Sequence, residues 1–364
     1  MREFEWLDLI LLVSGCKIFA ANNAIRYLNH LLLTVMIATY VIIMYVNYET
    51  DVKKGGFASL TIMSRYAEEV AGLLFMLVMN RNRHKFQKEM PAVLQSLTSN
   101  QRNSLTRYSF WSAFFIMVTI VWGYSMTTIH LTVSNKWSDL LHVTGDYMRR
   151  YNDFNSWFLG GCLVYGFCVK MYRFSEENYF EQLSKKTVAD ESQLKMAFER
   201  RKTLMTRIRL FQPFSFIPLL WFVYLFIKST VLVIEMLEKY DNIYERLWRV
   251  MPLAYQIMAL SYIVCLCDSC TMRIRKKTNA IIMDLMDDGS IQEMDLFVNE
   301  LKDISAKDFT VFETFDINRS FILAFVSSLI SFTVLFLDVI YDYLMEEDVK
   351  ARTPPSPPLN CTCP

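Results

Sequence analysis

Glycine and proline are scarce in this 364-residue sequence, at 10 and 9 residues, and charged residues make up only 21%. A soluble protein of this length is normally more polar and richer in glycine. Histidine occurs four times, and His30, His84, His130 and His142 are isolated from one another. No His lies near Cys265, Cys267 and Cys270 to complete a zinc set, and small thiols are common in apolar helices. The chain has no Gly-rich phosphate loop, no Gly-x-Ser-x-Gly and no His-Glu-x-x-His, the motifs that would mark nucleotide, acyl-transfer or zinc chemistry. These absences predict no enzyme, no catalytic residues, no metal and no cofactor. A net charge of +1 excludes a global attraction to nucleic acid. Internal repeats are missing, and the low-complexity stretch Pro354-Pro355-Ser356-Pro357-Pro358 reads as a stiff, exposed tail.

What the sequence has is apolar residues, 53% of the chain with a mean hydropathy of +0.21. They fall in blocks of about twenty, the length a helix needs to cross a ~30 Å hydrocarbon core. The blocks predict seven spans, at 29–47, 57–79, 109–131, 154–172, 213–236, 250–270 and 320–343. The second is the weakest, because Arg65, Glu68 and Glu69 occupy its first half. Residues 4–20 resemble a signal only superficially, since Glu3 and Glu5 outweigh Arg2 and Asp8 interrupts the apolar run. They read as an uncleaved amphipathic or membrane-dipping segment.

Lys and Arg set the orientation. Counting between spans places 25 of the 38 on one side and 11 on the other, with Lys170 and Lys228 inside spans. The positive-inside rule therefore puts the N-terminus in the cytoplasm and the C-terminus outside. The sequon Asn360-Cys361-Thr362 is a glycosylation site consistent with an outside tail. G-protein-coupled receptors have the opposite orientation, and the chain lacks both an Asn-Pro dipeptide and an Asp/Glu-Arg-Tyr triplet after its third span.

The predicted fold is all-α, with seven transmembrane helices and extended cytoplasmic helices forming an anchor. Its parts are 1–172 (the N-terminal segment and spans one to four), 173–212 (cytoplasmic helical), 213–270 (spans five and six), 271–319 (cytoplasmic helical anchor), 320–343 (span seven) and 344–364 (extracellular tail). The two cytoplasmic stretches show helical apolar spacing, Phe180, Leu183 and Val188 in one and Ile281, Ile282, Leu285 and Met286 in the other. The Asp287-Asp288-Gly289 run breaks the second. Packing together below the membrane is favoured over lying on an anionic leaflet.

Span seven carries the sharpest pattern. At ~100° per residue, Ser327, Ser331, Asp338 and Asp342 share one stripe, interrupted by Val334 and Leu335, while the remaining positions are Leu, Ile, Phe and Val. A lone carboxylate in hydrocarbon costs about 2.5 kcal/mol or more, so Asp338 should face protein or water. Several copies around an axis would make acidic rings that attract cations and an apolar belt that gates by dewetting. The plainer reading places Asp342 at the interface and pairs Asp338 with Lys228 or the headgroups.

The stretch from Phe312 to Asn318, leading into Ser331-Phe332, five further residues and Asp338-Val339, resembles the C-terminal signature of insect gustatory receptors. That signature reads Thr-Tyr, five hydrophobic residues, Gln-Phe. Spacing is kept here and all four identities differ. Length, span number, inside N-terminus, long cytoplasmic segment and short tail are similar too. The resemblance implies a ligand-gated cation channel in the plasma membrane of sensory neurons, opened by a small-molecule tastant. It implies a tetramer of identical or related subunits whose seventh helices line the pore, with Ser327, Ser331, Val334, Leu335, Asp338 and Asp342 facing the permeant cations. It also implies a ligand pocket in the outer half of the first six spans.

Pocket candidates there are Glu68, Glu69, Tyr124, Thr127, Trp157, Lys228, Tyr255 and Gln256, because aromatics with a few polar groups suit a small organic ligand. Against this, Tyr and Trp belong at membrane interfaces anyway. Membrane lipids are the remaining predicted partner. The alternatives are an insect odorant receptor subunit, a monomeric secondary transporter, and an inverted-topology receptor coupled to a soluble partner.

Overall fold

In the computed structural model, helix α1 (Glu5–Val13) is the first of eight helices among the described residues. The others are α2 (Asn23–Asp51), α3 (Ala58–Gln95), α4 (Ser99–Ser134), α5 (Phe154–Lys185), α6 (Phe216–Glu238), α7 (Ile243–Asp287) and α8 (Arg319–Phe332). The structure describes residues 3–13, 16–19, 23–51, 58–134, 154–185, 199, 216–238, 243–287, 310–311, 315–332 and 334–335. Every predicted span falls on a helix over its described part. The all-helical expectation needs one amendment. Thr310–Val311 pairs antiparallel with Phe315–Asp316, Thr310 opposite Asp316 and Val311 opposite Phe315, within the stretch read as helical anchor.

The predicted loop between spans two and three is almost entirely helical. α3 runs on to Gln95, and only 96–98 separate it from α4. The reason is a reciprocal cap. Thr98 N donates to Gln101 Oε1 at 3.0 Å and Gln101 N to Thr98 Oγ1 at 3.4 Å, satisfying two donors that a helix start otherwise strands. The basic residues of this segment therefore sit on helices. α7 likewise continues beyond its span and stops at Asp287, where the Asp-Asp-Gly run begins. Residues 288–309 lie outside the described residues.

α5 is the central helix. Cys162 through Val169 are mostly buried whatever their direction, as are Met171, Tyr172 and Phe174, the burial expected of a helix apolar on all sides. Small residues let neighbours close on it. A Cβ on Gly166 would overlap the Tyr108 hydroxyl and lie 2.5 Å from Ile263 Cδ1, so α4 and α7 meet α5 at that glycine. Tyr108 fixes the contact by donating to Leu163 O at 3.1 Å. Gly166→Ala should destabilise the fold by about 1–3 kcal/mol, the cost of overpacking a filled core. Thermal unfolding in detergent measures it, and Gly160→Ala is the control, because its nearest neighbour is an ordinary 3.7 Å away.

The segment before span one is packed into the bundle. Phe4, Leu7 and Leu11 are fully or almost fully buried. Phe4 meets Phe167 at 4.9 Å, Phe86 at 5.7 Å and Phe19 at 6.0 Å. Leu7 N, one of the unsatisfied donors of the first turn, donates to Ser109 Oγ of α4 at 3.0 Å. Trp6 and Leu9 point outward, so the predicted amphipathic character lies between the bundle and its surroundings.

Asp8 closes this segment. Its Oδ1 accepts from Ile18 N at 2.6 Å, its Oδ2 from Phe19 N at 3.1 Å, and Lys17 Nζ lies 3.2 Å from Oδ2. Burial nevertheless holds its pKa above the ordinary 3.8, outweighing Lys17 and these hydrogen bonds. The folded chain thus keeps the Asp8 proton to higher pH than the unfolded chain does. The stability Asp8 contributes is fully present at acid pH and is lost as pH rises from 3.8 through the folded-state pKa. Asp8→Asn should flatten that part of the stability–pH curve in thermal unfolding at a series of pH values.

Candidate functional site

α8 packs through aromatic residues. Phe222 of α6 lies 4.3 Å from Phe321 and 5.0 Å from Phe325, and Phe226 lies 5.2 Å from Phe332 and 6.4 Å from Phe325. Ile322 and Leu329 join the same core. The base of α8 is tied to α7 by an ion pair, Arg319 Nε to Asp268 Oδ2 at 2.8 Å. Arg319 is largely exposed, so the pair orients α8 more than it stabilises it.

Phe321, Ile322, Phe325, Leu329 and Phe332 occupy one side of α8 at helical spacing. The other side carries Ser327 and Ser331, both exposed, and Val334 and Leu335, 54% and 62% exposed. The predicted polar stripe and its apolar belt therefore point away from the chain's own core. Asp338 and Asp342 lie outside the described residues, as does Asn360.

The pocket candidates are more scattered. Glu68, Glu69, Tyr124, Thr127, Trp157 and Tyr255 lie on the predicted helices α3, α4, α5 and α7, and the positions of their side chains are outside the described structure. Lys228 is half-buried on α6. Gln256 of α7 is buried, and among the described residues its Oε1 has no hydrogen-bond partner. Sequence reading missed two similar groups on α6. Ser229 Oγ and Trp221 Nε1 are buried and equally without a partner among the described residues. Ser229 lies nine residues before the end of α6 and Gln256 thirteen after the start of α7. At 1.5 Å per residue these positions lie about 14 Å from the end of α6 and about 20 Å from the start of α7. Buried polar groups are normally satisfied, so unmet groups on packed helices mark a place for a ligand or water. A scan for polar residues on the apolar face of span five would have found Ser229. Lys170, which falls inside predicted span four, lies over the Tyr108 ring, 5.4 Å from its centre.

On α4, Phe110, Trp111, Phe114, Met117, Val118, Val121 and Trp122 are exposed, while Ser109, Ser112 and Thr119 are buried beside Leu105, Ala113 and Ile116. A water-facing helix shows the reverse pattern. Hydroxyls elsewhere donate back to their own helix, Thr34 to His30 O, Ser125 to Val121 O and Thr230 to Phe226 O, which leaves no hydroxyl proton unmet at these positions. Two windows among the described residues, Ser99–Trp122 and Gln256–Lys277, are long and apolar enough to cross a membrane by length and composition. Leu219–Thr230 and Arg319–Phe332 are shorter apolar helices.

Comparison with solved structures identifies this architecture. The chain is similar to the insect olfactory receptor OR5 from Machilis hrabei, solved in complex with eugenol. The TM-score is 0.64, and the match covers 92% of this chain and 97% of that one at 12% sequence identity. The fold is that of an insect chemoreceptor. No protein-family profile matches the sequence, and no curated protein is similar to it. The expectation was the insect gustatory receptor family, from the residues around span seven together with length and span number; the likeness bears out the broader insect chemoreceptor fold and extends over 92% of the chain at 12% identity.

Proposed function

We propose that this chain is a gustatory receptor subunit, a cation channel opened by a small-molecule tastant. It would cross the plasma membrane seven times, N-terminus inside, and assemble as a tetramer around α8. The observation that carries this reading is the two-sidedness of α8. Its aromatic side is used up on α6, and its Ser327–Ser331–Val334–Leu335 side is left for other copies and for water. Asp338 and Asp342 continue that stripe by helical phase. The apolar belt closes the path, and the carboxylates concentrate cations at its outer mouth.

Gln256 and Ser229 supply polar anchors for the ligand within a largely apolar space. Glu68, Glu69, Tyr124, Thr127, Trp157, Lys228 and Tyr255 remain proposed pocket residues. Asn360 is the proposed glycosylation site of an outside tail. The fold of the Machilis hrabei olfactory receptor favours an odorant receptor subunit as the second reading.

The test is expression of the chain alone in a cell without chemoreceptors, with current recorded against water-soluble tastants and volatile odorants. Ligand-evoked cation current supports the channel. Current evoked by volatiles alone moves the chain to the second reading. Substrate uptake without channel-like current identifies a transporter and removes both.

A further inference from the structure

Arg83 of α3 is a charged side chain buried without a counter-ion among the described residues. It is 7% exposed. Its Nη2 lies 3.3 Å from His30 Nε2 of α2. A guanidinium can only donate, so Nε2 accepts, and His30 is the neutral tautomer with its proton on Nδ1. The Arg83 Nε is buried and meets no acceptor among the described residues. Burial, then the like charge of Arg26, lower the Arg83 pKa against a smaller opposing effect of the Cys16 thiol. Among the described residues no carboxylate acts on it. The acid of this corner, Asp8, is taken by Lys17 and by the Ile18 and Phe19 amides. Asn29 of α2 holds the Lys17 backbone on both sides, accepting from its N at 2.9 Å and donating to its O at 3.4 Å.

Among the described residues the corner thus has two positive charges without a carboxylate partner and a neutral imidazole. Its depth says what would neutralise them. Arg26 and His30 precede the apolar run of α2, and Arg83 follows the apolar run of α3 that ends near Met79. Both mark the same boundary between hydrocarbon and water, on the side with the excess of Lys and Arg. Tyr27 and Leu31, beside Arg26 and His30, are 74% and 61% exposed, an interfacial aromatic and an apolar surface for an acyl chain. A phosphate matches the planar donor fork of arginine.

We propose that Arg83, Arg26 and His30 bind the phosphate of an anionic phospholipid. The Arg83 Nε–H and the His30 Nδ1–H donate to it, and Arg26 adds charge from the exposed rim. A zwitterionic headgroup is disfavoured because its own cation would face Arg26. The site rests on the membrane reading but not on channel activity.

The experiment uses the full chain in vesicles of phosphatidylcholine, with and without phosphatidylglycerol. Flotation first establishes that the chain enters the vesicles. Lipids retained after mild solubilisation are then counted by native mass spectrometry. The wild-type chain is expected to retain phosphatidylglycerol over phosphatidylcholine by about tenfold, the worth of one charge-assisted contact. Arg26→Gln, an exposed change that leaves packing alone, should bring the ratio most of the way to parity. Arg83→Lys should lose part of it, which keeps the inference testable if Arg83→Gln does not fold. Equal preference in wild type, Arg26→Gln and Arg83→Lys overturns the site while leaving the membrane reading intact. A rise in thermal midpoint with inorganic phosphate in detergent, without any lipid preference, assigns the site to free phosphate and overturns the lipid. A chain that does not float with vesicles overturns the lipid site together with the membrane reading.

Discussion

On the proposed tetrameric channel, cation current through the Asp338→Lys variant should fall by about tenfold or more, because four positive charges around one axis would repel what four carboxylates would attract. Asp338→Asn should have a smaller effect in the same direction. The argument starts from α8 as described. Phe321, Phe325 and Phe332 engage Phe222 and Phe226, which fixes the rotation of the helix. In the sequence, position 338 comes eleven residues after Ser327, about 20° away by helical phase, which is the ground for the proposal that it continues the outward-facing stripe. The measurement is ligand-evoked current and reversal potential with sodium replaced by a large cation. Unchanged current and selectivity in both variants would remove Asp338 from the ion path, and the acidic-ring account with it.

The largest loss of stability is expected from Phe4→Ala, at about 3–5 kcal/mol. Phe4 is fully buried, and its ring touches Phe19, Phe86 and Phe167. These come from the segment after α1, from α3 and from α5, so one side chain joins three parts of the chain. Removing it leaves a cavity under α1 and weakens the contacts that bring Leu7 N to Ser109. Thermal unfolding in detergent reads the loss, with Leu9→Ala as control because Leu9 is 53% exposed. Equal losses in the two variants would show that α1 rests on the surface of the bundle and does not plug into it.

The pattern on span seven was legible because helix phase is a local property. Ser327, Ser331, Val334 and Leu335 share a side by spacing alone, and that side is the outward one in the structure. The second-to-third connection was harder to read. Its six basic residues vote on orientation and not on structure, and the Thr98–Gln101 cap lets both helices run to within three residues of each other. The two-residue ladder at Thr310–Val311 and Phe315–Asp316 was hidden for a related reason. Pairing that short is set by where the chain is brought back on itself, and too few residues take part to leave a periodic signal. The pocket was the least legible. Whether Gln256 or Ser229 is satisfied depends on neighbours from other helices.

By itself the sequence determined the helical class, the order and approximate place of the apolar segments, and the division of α8 into two sides. Each follows from composition and spacing along one segment. The tertiary structure decided which helix is central, that α1 is packed inside, and that among the described residues Arg83 is left without a counter-ion while Asp8 has one. Those outcomes depend on distances between residues tens of positions apart, and burial, ion pairing and close approach at Gly166 exist only once the helices have met.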